Sequence, residues 1–128
     1  MRYLSDEQVL FLHARLIEAT GGIQGVRDLN KLSSALGKFR ADLDHEGRTP
    51  DLFTKAAALM EILILNHPFL DGNKRTGVVA AGLFLRQNGY RLIAKNEELV
   101  SIGLGVAQSK YSLNELANWL KVNTKSIN

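Results

Sequence analysis

The chain contains no cysteine, only two prolines and a single tryptophan among its 128 residues. Without cysteine there is neither a disulfide framework nor a thiolate metal site, and a cytoplasmic location is the simplest interpretation. No apolar run reaches the roughly 20 residues that a membrane-spanning helix needs, and the N-terminus lacks the apolar core of a signal peptide. We therefore expect a cytoplasmic protein that does not enter a membrane.

The excess of positive charge is small. Sixteen Lys and Arg oppose thirteen Asp and Glu, for a formal charge of +3. Such a balance permits an acidic partner or nucleic acid without requiring either. The length suits one domain with its own hydrophobic core, which we place at residues 1–122, with residues 123–128 as a flexible tail.

Capping and turn residues predict an all-α domain, a compact bundle of about six helices. Capping boxes at Ser5–Gln8 and Ser112–Glu115 begin the first and last helices. The second is expected from Asp28 to Gly37, followed by a charged loop at residues 38–48. Thr49-Pro50 then supplies an N-cap and a first helical proline for the third helix.

Two predicted helices are apolar almost all round and are expected at the centre of the core. The third is apolar through residues 56–65, and the fourth, residues 73–87, through residues 77–85. Residues 90–93 then read as a short extended piece, and a fifth helix begins near Asn96.

The loop between the two apolar helices concentrates groups that handle phosphate. Pro68 ends the incoming helix and places His67 at its C-terminus, where the helix dipole stabilises a positively charged ring and suits a proton acceptor. Gly72 permits a positive φ, so the helix that starts at Asn73 directs unpaired N–H groups into the loop. Such a helix start binds anions.

Charged side chains complete this predicted site. Lys74 and Arg75 offer cationic donors to phosphate oxygens, although positive charge at a helix N-terminus is unfavourable without an anionic ligand. Asp71 is a hard oxygen ligand for Mg²⁺, and it could equally cap the following helix. Together with His67 as the catalytic residue, these groups predict phosphoryl or nucleotidyl transfer from ATP.

Other polar and aromatic residues receive structural interpretations. His13 and His45 have no ligand spacing to each other or to carboxylates, so neither a zinc site nor a catalytic role is expected for them. Phe69 is interpreted as a buried anchor that fixes the shape of the loop.

The loop as a whole resembles the motif of the Fic/Doc family, and more narrowly its Doc branch. Fic adenylyltransferases carry Gly-Asn-Gly-Arg with a second arginine three positions later, whereas this chain has Lys74 and Val78 at those two positions. Residues 21–28 and 84–90 also resemble Doc segments, so the resemblance spans essentially the whole chain. It implies the Fic/Doc fold, in which the two central helices flank the active-site loop. The motif is His67-Pro68-Phe69-Leu70-Asp71-Gly72-Asn73-Lys74-Arg75.

The resemblance also implies a function. Doc proteins are toxins of toxin–antitoxin pairs that phosphorylate a threonine of elongation factor Tu and halt translation. Lys74 would obstruct the pocket in which a Fic enzyme seats the β-phosphate, so that ATP would present its γ-phosphate instead. In this interpretation His67 is the general base and Asp71 holds Mg²⁺. The expected phosphate-binding residues are Gly72, Asn73, Lys74 and Arg75.

Partners and alternatives follow from the same comparison. A Phd-like antitoxin would lay a helical C-terminal segment in a groove of the toxin, and the toxin would meet DNA only through that antitoxin. A Fic-type adenylyltransferase is the nearest alternative, favoured by Gly72 and Asn73 and opposed by Lys74 and Val78. A non-catalytic RNA-binding toxin is a further alternative, which the lack of an aromatic platform disfavours.

Overall fold

A computed structural model describes residues 1–127 and confirms the all-α fold. No helix among these residues is long and apolar enough to cross a membrane. Two short strands, Tyr90–Leu92 (β1) and Thr124–Ser126 (β2), form a small antiparallel sheet. The helices are Asp6–Thr20 (α1), Leu29–Ala41 (α2), Leu52–Leu65 (α3), Asn73–Gln87 (α4), Asn96–Ala107 (α5) and Leu113–Val122 (α6).

Helices α3 and α4 form the centre of the bundle, as their apolar sequences predict. Gly77 of α4 lies directly against α3, because a Cβ at this position would be 2.6 Å from Cγ1 of Ile64 and 3.1 Å from the carbonyl oxygen of Met60. Glycine therefore allows the two backbones to approach closely. The active-site loop predicted from the sequence joins these two tightly packed helices, so both of its ends are fixed.

Helix α2 is longer than its sequence predicts. It continues to Ala41 because Phe39 is buried in the core, which draws the last turn inward. Buried Lys55 of α3 donates from Nζ to the carbonyl oxygens of Phe39 and of Asp42, the latter at 3.0 Å, and so pairs carbonyls at the end of α2. The charged loop consequently begins at Asp42 and not at Lys38.

Helix α3 begins later than predicted. Its N-cap is Asp51, whose carboxylate accepts a hydrogen bond from the backbone N–H of Thr54 at 2.9 Å. A carboxylate at the N-cap also interacts favourably with the helix dipole, so Asp51 prevails over Thr49.

The flexible tail expected at residues 123–128 needs correction. Strand β2 pairs with β1 along its whole length, with Tyr90 opposite Ser126 and Leu92 opposite Thr124. The backbone N–H of Ile127 also donates to the carbonyl of Gly89 at 2.9 Å. Strand β1 supplies hydrogen-bond partners for the backbone of these residues. The polar composition of the segment gives no sign of this pairing. Asn128 lies outside the described residues.

Candidate functional site

The loop between α3 and α4 begins with a strained residue. His67 follows the last turn of α3 and adopts a φ of 47°, in the left-handed region that costs a residue with a side chain about 1–2 kcal/mol. Its side chain is exposed, whereas the next two residues, Pro68 and Phe69, are buried. Strained backbone of this kind is concentrated at functional sites, and the catalytic role of His67 stays a prediction.

Asn73 holds the loop in shape. Its Oδ1 accepts the backbone N–H of Phe69 at 3.0 Å, and its Nδ2 donates to the carbonyl of the same residue at 3.0 Å. The side chain is buried, and both its polar ends are occupied. One of the two Nδ2 hydrogens is thus used within the loop, and the phosphate-binding role of Asn73 stays a prediction.

Phe69 is the buried anchor that the sequence predicts, and its neighbour is unexpected. The ring of His13 from α1 stacks on it with centroids 3.7 Å apart and planes 5° from parallel. Nε2 of His13 lies 2.8 Å from the carbonyl oxygen of Asp71. His13 is only 2% exposed, so this ring is enclosed between α1 and the loop.

The same face of α1 meets the loop at two further points. Cδ1 of Ile17 lies so close to Gly72 that a Cβ there would be 2.7 Å away. One turn later, Nη1 of Arg75 donates to the hydroxyl of Thr20 and to the carbonyl of Gly21, the latter at 3.2 Å. Successive turns of α1 thus contact Asp71, Gly72 and Arg75 in turn.

Residues 21–28 run across the loop from outside. Main-chain hydrogen bonds join Arg27 N–H to the carbonyl of Pro68 at 2.8 Å and Leu70 N–H to the carbonyl of Gly25 at 3.1 Å. Two of its three glycines, Gly22 and Gly25, lie so close to the loop that a side chain there would collide with it. A Cβ on Gly22, for example, would lie 2.6 Å from Oδ2 of Asp71.

The Asp71 carboxylate is held by backbone donors. Oδ2 accepts from Ile23 N–H at 3.0 Å and Oδ1 accepts from Gly72 N–H at 2.8 Å. These two bonds, assisted by the positive charge of Arg75, lower the pKa of Asp71 below its ordinary value of 3.8. The group is therefore an anion near neutral pH.

An ionised carboxylate of this kind fits Mg²⁺ as a single protein ligand. Each oxygen of Asp71 accepts one hydrogen bond and retains a lone pair for a metal. Residues 1–127 contain no group of three His, Cys, Asp or Glu side chains that could hold a metal ion together. The remaining ligands would have to be phosphate oxygens and water, which is the usual way Mg²⁺ is bound with nucleotides.

The start of α4 supplies the anion-binding element. Gly72 is the N-cap with a φ of 77°, and no side chain caps the first turn. The N–H groups of that turn are left to a ligand. Lys74 is exposed and Arg75 half-buried, so two cations stand where the helix dipole alone would disfavour them.

A groove of about 270 Å³ opens beside these cations, between α4 and α5. Gly103 brings α5 close to α4, since a Cβ there would be 3.8 Å from Cβ of Lys74. A larger cavity, about 730 Å³, lies elsewhere, between the α2–α3 loop and the start of α6. The groove is lined by Lys74, Arg75, Val78, Val79, Asn96, Leu99, Val100, Gly103 and Leu104.

The structure thus places all six predicted site residues in one short loop and the helix start that follows it. Sequence reasoning missed the contribution of α1, namely His13 and Thr20. They lie seven residues apart, with Ile17 between them, and so share one face of the helix. That spacing was a usable signal, although it is also the spacing of ordinary core residues.

Comparison with known proteins agrees with this geometry. The model of the Fic/DOC family matches residues 3–85, which include the whole loop. The chain is 33% identical over 121 residues to "Protein kinase doc" of Escherichia phage P1, covering 94% of each chain. It is 41% identical over 92 residues to "Toxin Doc" of Mycolicibacterium smegmatis, covering 72% of this chain and 68% of that one. The chain therefore belongs to the Fic/Doc family, and both of these relatives carry the name Doc.

Proposed function

We propose that this protein is a Doc-like toxin that transfers the γ-phosphate of ATP to a threonine hydroxyl of elongation factor Tu. The observation that carries the proposal is the arrangement of the loop. Nine consecutive residues contain three features of a phosphate-transfer site. They are a strained, exposed His67, an ionised Asp71 and the uncapped, cationic start of α4. The likeness to a protein named a kinase, over 94% of both chains, supports the same reaction.

The chemistry assigns one task to each group. His67 accepts the proton of the target hydroxyl as its oxygen attacks the γ-phosphorus. The bond from that phosphorus to the β,γ-bridging oxygen breaks, and ADP leaves with the electron pair. Backbone N–H groups of the first turn of α4, together with Lys74 and Arg75, stabilise the charge on the phosphate oxygens. Asp71 would hold Mg²⁺, which when bound supplies positive charge beside the same oxygens.

Phosphoryl transfer is favoured over AMP transfer by two positions. Lys74 stands where Fic adenylyltransferases have glycine, and Val78 stands where they have a second arginine. Val78 is buried against α5, where its Cγ2 would be 3.1 Å from a Cβ on Gly103. Position 78 therefore offers no cation to a bound nucleotide, unlike the second arginine of the Fic motif, and this supports the assignment to a kinase.

The groove between α4 and α5 is suited to bind an inhibitory antitoxin, and we propose that the two proteins meet in the cytoplasm. Three apolar residues of its lining, Val79, Val100 and Leu104, are exposed. Exposed apolar side chains along a groove suit the apolar face of a helix. We assign this groove to the helical C-terminal segment of a Phd-like antitoxin, which would also be the toxin's only link to DNA.

The deciding experiment follows label from ATP to purified elongation factor Tu. ATP labelled at the α- or γ-phosphate is supplied in parallel reactions to the wild-type protein and to His67→Ala. His45→Ala is the matched control, because the His45 side chain is 91% exposed and lies outside the site. We expect label from the γ position alone, lost in His67→Ala and retained in His45→Ala. Label from the α position would establish an adenylyltransferase, and salt-sensitive RNA binding without any transfer would favour the RNA-binding alternative.

A further inference from the structure

One residue of helix α1 that contacts the loop, His13, has no role in the mechanism described above. The buried face of α1 meets the motif through His13, Ile17 and Thr20, and His13 is the only one of these three with an imidazole. A core position of this kind is ordinarily filled by an aliphatic side chain. Here a polar ring is 2% exposed and makes a specific hydrogen bond to the catalytic loop.

We propose that His13 is a positioning residue for phosphate binding and transfer, acting through the carbonyl of Asp71 on the turn that starts α4. The inference rests on the proposed function and deepens it, because it concerns the same phosphate site. His13 itself does not touch the phosphate or the hydroxyl.

The contact geometry fixes the imidazole in two directions. A carbonyl oxygen only accepts hydrogen bonds, so Nε2 of His13 carries the proton and donates to Asp71 O over 2.8 Å. The face of the ring is set by Phe69, which lies parallel to it at a centroid distance of 3.7 Å. Phe69 is in turn held at both backbone groups by Asn73, so the ring rests against a rigid neighbour.

The Asp71 carbonyl then transmits this constraint to the anion-binding element. It belongs to the peptide unit that joins Asp71 to Gly72, and a peptide unit is planar, so fixing its oxygen also fixes its N–H. That N–H, on Gly72, donates to Oδ1 of Asp71 at 2.8 Å. His13 therefore restrains the peptide directly, and it acts together with the N–H of Ile23 on the carboxylate and on the left-handed turn from which α4 begins.

Two substitutions separate this role from simple filling of the core. His13→Phe keeps an aromatic ring against Phe69 but removes the donor. His13→Gln loses the ring but places an amide N–H at nearly the position of Nε2. The control is Phe11→Leu, because Phe11 lies on the same helix and is 65% exposed.

The experiment measures three quantities for each variant: the Kd of ATP with Mg²⁺ by calorimetry, γ-phosphate transfer to elongation factor Tu, and thermal unfolding. We expect His13→Phe to weaken ATP binding about tenfold and slow transfer roughly a hundredfold, as small misplacements of catalytic groups do, while unfolding cooperatively. His13→Gln should recover both quantities to within about threefold of wild type, because the donor is restored. Phe11→Leu should match wild type.

Opposite results are equally clear. Loss of ATP binding by His13→Phe and His13→Gln alike, in proportion to their lower unfolding temperatures, would reduce His13 to a core residue and overturn the inference. If the wild-type protein binds ATP but transfers no phosphate, the proposed kinase function is wrong. The Kd values of the His13 variants would still decide the role of His13. Failure of the wild-type protein to bind ATP would overturn both.

A spectroscopic measurement covers the case in which His13→Phe does not fold. In wild-type protein, ¹⁵N NMR of the imidazole should show the proton on Nε2, and adding ATP with Mg²⁺ should shift that signal. An Nε2 without a proton, or an Nε2–H signal that ATP leaves unmoved, would contradict the proposed coupling.

Discussion

Asn73 pairs with both backbone groups of Phe69, accepting its N–H and donating to its carbonyl, each at 3.0 Å. The first residue of α4 thus fixes the conformation of the loop four residues before it. An amide suits this position because it offers a donor and an acceptor on one side chain, whereas a carboxylate offers only acceptors. The motif asparagine therefore maintains the shape of the site.

Asn73→Asp tests this pairing with almost no change in shape. The substitution keeps an acceptor for the Phe69 N–H but places an oxygen opposite the Phe69 carbonyl, inside a buried contact. We expect the free energy of unfolding to fall by about 2–3 kcal/mol, measured with urea, because a buried acceptor loses its partner. The same change at exposed Asn118 on α6 should stay within about 0.5 kcal/mol of wild type. Equal losses at both positions would show that the pairing contributes nothing specific.

Gly22→Ala tests the crossing of residues 21–28 over the loop. Gly22 has a φ of 120°, and an added Cβ would lie 2.6 Å from Oδ2 of Asp71. Gly47, with a φ of 79° and no atom within 4 Å of a built Cβ, isolates the effect of backbone strain. Each alanine should cost about 1–3 kcal/mol of stability from strain. Only Gly22→Ala should also abolish γ-phosphate transfer, since it displaces the Asp71 carboxylate. Retained transfer in Gly22→Ala would mean that the exact position of Asp71 is unimportant.

Gly77→Ala tests the close packing of α3 and α4. In an open helical position this change stabilises by about 0.5–1 kcal/mol, because alanine is the better helix former. At Gly77 the new Cβ would meet Ile64 at 2.6 Å and the Met60 carbonyl at 3.1 Å. We expect a net loss of about 1–3 kcal/mol from overpacking. Gly82 on the same helix has its nearest neighbour at 3.6 Å, so Gly82→Ala should stabilise, and urea unfolding of the pair measures the difference.

Local signals predicted most of the elements, and contacts between distant residues account for the differences. The start of α4 and both predicted capping boxes were correct, because glycine, serine, glutamine and glutamate act on neighbouring residues. The extension of α2 depends on Lys55, and strand β2 depends on β1, more than thirty residues away. No local pattern records either contact. The same reason explains why the motif residues were found, whereas the support they receive from His13 was not.

The lowered pKa of Asp71 predicts how stability depends on pH. Its carboxylate is stabilised in the folded protein by the N–H groups of Ile23 and Gly72 and, more weakly, by Arg75. A group whose pKa is lower in the folded state stabilises the fold above its unfolded pKa, here near the ordinary 3.8. That contribution disappears as the pH falls through the lowered folded value. Part of the acid destabilisation of the wild-type protein should therefore come from this one residue.

The substitution Asp71→Asn removes the pH-dependent stabilisation that the Asp71 carboxylate provides. The new amide can accept only one of the two N–H bonds, and its NH₂ group faces the other donor, so the variant should be less stable than wild type at pH 7. Below pH 3.8 the two free energies of unfolding should converge, because the wild-type carboxylate becomes protonated and loses the same bonds. Urea unfolding at intervals from pH 7 down to the lowest pH at which both proteins fold measures the gap directly. A gap that stays constant across this range would show that Asp71 does not change its protonation on unfolding, and the hydrogen bonds from Ile23 and Gly72 would then not be the source of its stabilisation.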